Sequence, residues 1–136
     1  MRVSAPTEPR ESDGVTPPEG FHTVTPRMFV DDVQAEVEFL RAVFDAAGDV
    51  EPGRPVELRI GDSLVMVSGV LERGAFPAFL YVYVDDADAT HARAVAAGAA
   101  TIEAPSDQFY GDRRAMVRDP QGNVYQIATR LPGRSE

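Results

Sequence analysis

The sequence predicts an α+β domain in which one strand–helix module occurs twice. The phrase MFVDDVQAEVEFLRAVFDAAG begins at Met28, and a similar phrase, VYVDDADATHARAVAAG, begins at Val82. In both phrases an apolar run ends in Val-Asp-Asp and a helical pattern follows. More strand-like segments come after each helix, without the regular strand–helix alternation of a parallel sheet, and this order favours α+β. Duplication of one supersecondary unit, with the two copies packed together, accounts for the repeat.

Length and charge narrow the class of protein. A chain of 136 residues is one domain by size, and its formal net charge of -9 would repel the phosphates of nucleic acid. All 13 basic residues are arginine and cysteine is absent, which excludes Schiff-base, thiol and disulfide chemistry. The sequence shows no apolar stretch typical of a signal or transmembrane segment. We therefore expect a cytoplasmic protein that binds neither nucleic acid nor membrane.

Composition divides the chain into an arm, a domain and a tail. Residues 1–20 are rich in Pro, Glu, Ser and Gly, and they form either a disordered arm or a strap across a partner subunit. A single domain is predicted over residues 21–131, with modules at about 21–70 and 78–131. Residues 132–136 form a short tail.

The first module begins with a strand and a helix. The segment FHTVTPRMFV, residues 21–30, is rich in aromatic and β-branched residues, and Pro26 within it indicates an edge position or a bulge. Either Asp31 or Asp32 then caps a helix over residues 33–47, where apolar residues recur at spacings of three and four. Gly48 is predicted to cap the end of this helix.

Hairpins complete both modules. In VELRIGDSLVMVSG two strands flank Gly61-Asp62, a pair that suits a tight turn. The second module is predicted to have a strand over residues 79–84, a helix over 86–97 and a loop that contains Pro105. Two final strands then flank the turn at Asp119-Pro120-Gln121-Gly122-Asn123.

These segments resemble the vicinal oxygen chelate superfamily, the glyoxalase and bleomycin-resistance fold. The resemblance covers about residues 22–130 and is most specific in VDDVQAEVEFLRAVF, ELRIGDSLVM, YVYVDDADA and YGDRRAMVRDPQGNVYQIAT. It implies two βαβββ-type modules that form a curved mixed sheet around a pocket. It also implies a homodimer whose pockets use strands from both chains.

In metal-dependent members of the superfamily, four strand positions carry His or Glu ligands. Carried over by strand register, these positions fall on Thr25, Glu57, Phe79 and Gln126. Only Glu57 is a strong ligand, and a phenyl ring cannot bind a metal ion. We therefore expect no metal cofactor, although a weakly held divalent ion remains an alternative.

Glu57 and an aromatic stripe are the main candidates for function. A carboxylate on a strand that faces a pocket can act as a general base, but an ion pair with a nearby arginine explains Glu57 equally well. The stripe alternates along one strand at Phe79, Tyr81 and Tyr83, so its side chains share one face and form either core or ligand wall. The phrase Tyr110-Gly111-Asp112-Arg113-Arg114 suits a tight turn fixed by local ion pairing, and the alternative is that Arg114 faces an anionic group of a ligand.

The first hypothesis is a metal-free protein of the bleomycin-resistance type, which binds a planar or cationic natural product and so confers antibiotic resistance. The second is a lyase, isomerase or epimerase that uses Glu57 as general base or weak metal ligand, and the third is a module without chemistry. In the first hypothesis the ligand-binding residues are Thr25, Arg27, Glu57, Phe79, Tyr81, Arg114 and Gln126.

Overall fold

The computed structural model describes residues 17–70 and 74–133. The predicted arm, residues 1–20, therefore lies mostly outside the described residues, as do the last three residues of the tail. The helices and strands in chain order are β1 Arg27–Val30, α1 Val33–Phe44, β2 Val56–Ile60, β3 Ser63–Gly69, β4 Phe79–Tyr83, α2 Ala87–Ala96, β5 Ala100–Asp107, β6 Asp112–Arg118 and β7 Val124–Arg130.

Each module builds one mixed sheet, which confirms the α+β class and the two-module architecture. The first sheet has the order β1-β3-β2, in which β1 runs parallel to β3 and β2 runs antiparallel to it. The second sheet has the order β4-β7-β6-β5, again with one parallel pair, between β4 and β7. The first strand of each module thus pairs in parallel with the last.

The repeated aspartates begin the two helices. The side chain of Asp32 accepts a hydrogen bond from the Ala35 amide at 3.0 Å, and that of Asp86 accepts one from the Ala89 amide at 3.1 Å. Each bond satisfies one of the free amides of a helix N-terminus. Of the two alternatives for the first helix, Asp32 is therefore the cap.

The prediction that Gly48 caps α1 is wrong. The helix ends earlier, at Asp45, whose backbone is left-handed with φ 59°. Gly48 has another role, because a Cβ placed there would lie 2.3 Å from the carbonyl oxygen of Glu57. This close approach accompanies a single β-bridge between Ala47 and Arg59, which occupies the edge of the first sheet beside β2.

Two strand boundaries also differ from prediction. The first strand begins at Arg27 and not at residue 21, just after Pro26, which has no amide proton to donate. Pro105 was predicted to lie in a loop, but it lies within β5, an edge strand whose register shifts between Thr101 and Ser106. An edge strand with irregular pairing tolerates proline because no ladder bond is lost.

The helices lie between the two sheets in one continuous core. Helix α1 packs on β3 of the first sheet and on α2. Tyr125 of β7 is fully buried, and its ring centroid lies 5.9 Å from that of Phe39 and 5.3 Å from that of Phe44, both on α1. Both sheets therefore turn their apolar face toward the same helical layer.

Candidate functional site

Each sheet has a second face, which points away from the helices and which we call its open face. On the first sheet, strand alternation and register place Arg27, Phe29, Glu57 and Met66 on the open face. On the second sheet, alternation and register place the following residues on the open face: Phe79, Tyr81, Tyr83, Asp112, Arg114, Met116 and Gln126. Helices bury the opposite face of both sheets, so any ligand that meets a broad strand surface must meet the open faces.

Three of the predicted site residues lie on or beside the first sheet. Arg27 and Glu57 pair from opposite sides with Met66, and Thr25 precedes β1. Arg27 donates from Nε to Ser68 Oγ at 3.1 Å, and its guanidinium carbon lies 4.8 Å from the centroid of the Phe29 ring. Glu57 is exposed and borders a shallow depression of about 190 Å³. A single chain therefore does not supply the desolvated environment that a general base needs.

The other four predicted residues lie on the second sheet. Tyr81 pairs with Gln126 in register, and Gln126 pairs with Met116 on its other side. Phe79 and Tyr81 expose 64% and 39% of their surface. Arg114 lies two residues before Met116 on β6, on the same face, and its Nη2 donates to Glu103 Oε1 at 2.5 Å. The predicted aromatic stripe thus forms an exposed wall and not core.

A network that the sequence did not predict joins this stripe to a buried carboxylate. Asp112 is fully buried, and its Oδ2 accepts hydrogen bonds from Tyr81 Oη at 2.6 Å and from Tyr83 Oη at 2.8 Å. Tyr110 Oη lies 3.2 Å from Tyr81 Oη and accepts from Arg114 Nη1 at 3.1 Å. We call these five residues the tyrosine–aspartate cluster.

Arg130 balances the negative charge of Asp112. Arg130 Nε lies 3.2 Å from Asp112 Oδ1, and Arg130 Nη1 donates to the Tyr110 carbonyl oxygen at 2.8 Å. Burial of the Tyr81 hydroxyl and its hydrogen bond to Asp112 raise the pKa of Tyr81 above its ordinary value. The hydrogen bond to Asp112 likewise raises the pKa of Tyr83. These hydroxyls stay protonated and act as fixed polar groups, not as bases.

The sequence contained a weak signal for this cluster. Asp112 and Arg114 alternate along one strand as Tyr81 and Tyr83 do along another. β4 and β6 both pair with β7, one on each side, and only this arrangement brings the tyrosine side chains of β4 within hydrogen-bonding distance of Asp112 on β6.

The residues present do not fit the metal site of the superfamily. In the part of the chain that the structure describes, no group of three or more His, Cys, Asp or Glu side chains is placed to hold a metal ion. Of the four positions that the resemblance implies, Thr25 and Glu57 lie beside or on the first sheet, and the second sheet contributes only Phe79 and the neutral amide of Gln126. A divalent cation requires several anionic or imidazole donors at one point, which this set does not provide.

Within one chain the two halves of the predicted site stay apart. The first half is on one open face and the second half on the other, with the helical layer between the two sheets. A groove of about 730 Å³ does lie between the modules, but on the helix side, against Phe44, Val65 and Leu80. Tyr81 and Tyr83 of β4 line this groove as well, whereas Glu57, Arg114 and Gln126 do not.

With this geometry established, comparison with known proteins gives the family. Residues 20–127 match the sequence profile of the Glyoxalase/Bleomycin resistance protein/Dioxygenase superfamily. The chain belongs to this superfamily. An uncharacterized protein from Mycobacterium tuberculosis is 30% identical over 125 residues, which covers 76% of this chain and 72% of the relative.

Solved structures give the same fold. A glyoxalase/bleomycin resistance protein/dioxygenase family enzyme from Burkholderia phytofirmans aligns with a TM-score of 0.67 at 24% identity, over 77% of this chain and 95% of that one. The fosfomycin resistance protein FosX from Mesorhizobium loti aligns with a TM-score of 0.62 at 20% identity, over 82% and 93%. At these identities the likeness establishes the glyoxalase/bleomycin resistance fold alone.

The described helices have one further property. Neither has the length and apolar character required to cross a bilayer.

Proposed function

We propose that the protein is a metal-free binding protein of the bleomycin-resistance type, which binds a planar or cationic natural product and thereby confers resistance. The observation that carries this proposal is the exposed aromatic wall of Phe79, Tyr81 and Tyr83 on the second sheet. Large exposed aromatic side chains on one face are typical of a binding surface, because water-exposed apolar area of this size is otherwise unfavourable. The amide of Gln126 supplies a neutral polar group beside the wall.

The pocket is completed, in this proposal, by a two-fold dimer. In this dimer the first sheet of one chain lies against the second sheet of the other. Arg27 and Glu57 of one chain then lie opposite Phe79 and Gln126 of the other, and the dimer contains two such pockets. Two-fold symmetry makes both composite pockets identical and buries the aromatic wall of each chain. A stable interface of this kind covers about 1,600 Å².

The dimer is tested by light scattering at micromolar concentration, with the variant Tyr83→Glu as the perturbed chain. We expect about twice the chain mass for the wild type and a shift toward monomer for the variant, because a carboxylate on the covered face opposes association. Val95→Glu, an exposed apolar residue on α2, is the control and should remain dimeric. A wild type that is still monomeric at about 50–100 µM would contradict the composite pocket, because this concentration is far above a typical Kd for an interface of this size.

Binding is tested by thermal melting and calorimetry with bleomycin, acridine orange and the neutral flavone quercetin. At a hundredfold excess over Kd, one bound ligand stabilises the fold by about 2.7 kcal/mol, a rise of several degrees in melting temperature. Phe79→Ala should weaken the binding about tenfold or more, whereas Val95→Ala should not change it. If none of the three compounds raises the melting temperature, the proposal fails.

The enzymatic alternative is separated by two measurements. Metal analysis of protein purified without chelator should find far less than one transition ion per chain. If a catalysed reaction is found, Glu57→Gln should abolish the activity only when Glu57 is the general base. Stoichiometric metal, together with its loss in Glu57→Gln, would favour an enzyme over a binding protein.

A further inference from the structure

The first strand of the second module, β4, has one free edge. In the described part of the chain it pairs only with β7, so it is the outermost strand of the second sheet. The Val84 amide donates to the Ala128 carbonyl of β7 at 2.8 Å. In a parallel pair, every second residue directs its amide and carbonyl toward the partner strand, and the residues between them direct theirs away. The backbone groups of Phe79, Tyr81 and Tyr83 therefore point outward from the sheet.

This edge lacks the features that usually protect an exposed strand. Such strands commonly carry a charged residue, a proline or a bulge, which prevents pairing with another chain. The sequence of β4, FLYVY, is uncharged and consists of residues that favour strands, and its register with β7 is regular along its whole length. An edge of this kind is suited to accept a further strand.

The free edge borders the groove of about 730 Å³ between the modules. Every residue from 80 to 86 lines this groove, although side chains alternate between the two faces of a strand. Continuous lining of this kind arises when a groove runs along the edge of a strand and not across one face. Other lining residues come from the β2–β3 turn, residues 60–63, and from Phe44 at the end of α1. An extended segment in this groove would meet the outward backbone groups of β4.

The groove has an apolar floor that is incompletely covered. Leu80, Val82 and Val84 pack against the core, but all three are only half-buried. Tyr125 and Ile127, which pair in register with Leu80 and Val82 on β7, are fully buried. A segment paired with β4 would alternate its side chains as β4 does, so apolar residues at every second position would cover this floor.

The charges around the groove are mainly negative. Four exposed carboxylates line it, those of Asp45, Asp62, Asp85 and Asp86, and none of the four forms an ion pair within the described residues. Arg93 is the one basic residue among the described lining residues. It donates to the Thr90 hydroxyl at 3.0 Å and to the Val43 carbonyl at 3.4 Å. The groove is therefore complementary in charge to a basic segment.

We propose that this groove binds an extended peptide segment that pairs with the free edge of β4, is apolar at every second position and is basic at its ends. Backbone hydrogen bonds to Tyr81 and Tyr83 supply affinity, and the alternate side chains supply specificity. The tyrosine side chains keep their bonds to Asp112, because only their backbone groups are used. The site lies on the helix side, so it is separate from the aromatic wall that carries the proposed function.

The test titrates synthetic peptides into the full chain by NMR. The peptide acetyl-Arg-Val-Thr-Val-Thr-Val-Arg-amide has the proposed pattern. A second peptide has glutamate in place of each arginine, and a third is the arginine peptide with all its central residues N-methylated. We expect the arginine peptide to bind about tenfold or more tightly than either of the others, because the second is repelled by the carboxylates and the third cannot donate to a strand edge.

Amide hydrogen exchange locates the pairing along β4. With the arginine peptide at about a hundredfold excess over its Kd, exchange at Tyr81 and Tyr83 should slow by up to about a hundredfold, because these amides become hydrogen-bonded in the complex. The Val82 amide points toward β7 and should change much less. This alternation between neighbouring residues would not arise from a peptide that covers the groove without pairing.

A double variant tests the charge complementarity. Asp62→Asn combined with Asp85→Asn removes exposed carboxylates from the groove and should reduce the preference for the arginine peptide over the glutamate peptide to about threefold or less. Glu38→Gln combined with Asp49→Asn is the control. It changes the net charge equally, at exposed positions that do not line the groove, and should retain the full preference.

Several results would overturn the proposal. Equal binding of the N-methylated and the parent peptide would exclude strand pairing, and absence of binding by the arginine peptide would exclude the site. Slow exchange at Tyr81 and Tyr83 before any peptide is added would show that the edge is already covered, by a second copy of the chain or by another segment. An unchanged preference in the Asp62/Asp85 variant would refute the basic partner. None of these results bears on the aromatic wall, which the melting experiments test separately.

Discussion

Replacement of Glu36 by glutamine should remove most of the loss of stability that accompanies a rise in pH from about 4.5 to about 9. Glu36 lies on α1 with 1% of its surface exposed. Its Oε2 is 2.9 Å from Tyr125 Oη, which is also 2.9 Å from Asp119 Oδ2. One phenol proton cannot serve both carboxyl groups, so one of them must carry a proton itself.

That proton belongs on Glu36. The Asp119 carboxylate accepts from the backbone amides of Gln121 at 2.9 Å and Asn123 at 3.0 Å, and from Asn123 Nδ2 at 3.2 Å. Besides Tyr125, Glu36 accepts a hydrogen bond from the Gln121 side chain at 3.2 Å, and no backbone amide among the described residues donates to its carboxyl group. Burial, and next the nearby Asp119 carboxyl, raise the pKa of Glu36 to about 9.

The sign of the pH dependence follows from proton uptake. Between the ordinary pKa of 4.5 and about 9, the native state keeps this proton and the unfolded chain loses it. The stabilisation is therefore fully present below the unfolded pKa and is lost progressively as the pH rises through that window. The slope is about 1.4 kcal/mol per pH unit for one proton.

The assay is urea unfolding, followed by circular dichroism, at several pH values from about 5.5 to about 8.5, which is a span of about three pH units. In Glu36→Gln the amide donates permanently, so the stability of the variant relative to wild type should rise by about 4 kcal/mol across that span. Glu38→Gln, an exposed residue on the same helix, is the control and should parallel the wild type. Parallel curves for Glu36→Gln and wild type would refute the assignment of the proton to Glu36.

Three further predictions concern packing and capping. Gly48→Ala should destabilise the fold by about 2 kcal/mol or more in urea unfolding, because its Cβ would meet the Glu57 carbonyl oxygen, whereas Gly53→Ala meets no atom within 4 Å and should cost less. Asp86→Ala should cost about 1 kcal/mol through loss of the α2 cap, and a change no larger than that of Asp85→Ala would argue against the cap. Tyr125→Phe should cost about 2 kcal/mol or more, because it leaves Glu36 and Asp119 without their shared partner, and unchanged thermal stability would contradict this.

Local features of the fold were predictable because they depend on neighbours in sequence. The cap of the first helix, predicted at Asp31 or Asp32, and the turn at Gly61 require only a few adjacent residues, and the structure has both. The end of α1 was missed because a non-glycine residue, Asp45, adopts the left-handed conformation. Pro105 was assigned to a loop because edge pairing with a register shift leaves no local pattern.

The site was predicted only in part. Phe79, Tyr81 and Gln126 share one open face, as their alternation and the resemblance indicated. Asp112 was interpreted as part of a tight turn, since nothing near it in sequence shows that two tyrosines of β4 reach its carboxylate. Glu36 was not considered at all, because a glutamate in a helical pattern is usually solvated.

The sequence by itself determined the composition of the modules, their duplication, the cap of the first helix, the absence of lysine and cysteine, and the presence of a single strong metal ligand, Glu57, among the four positions that the resemblance implies. Only the tertiary structure decided which protons are shared between Glu36, Tyr125 and Asp119, and which tyrosine hydroxyls Asp112 consumes. The reason is physical. Residue identity and periodicity fix what each segment can form, but burial and hydrogen-bond partners arise between strands and helices far apart in the chain, and these set the charge and the polarity that a ligand meets.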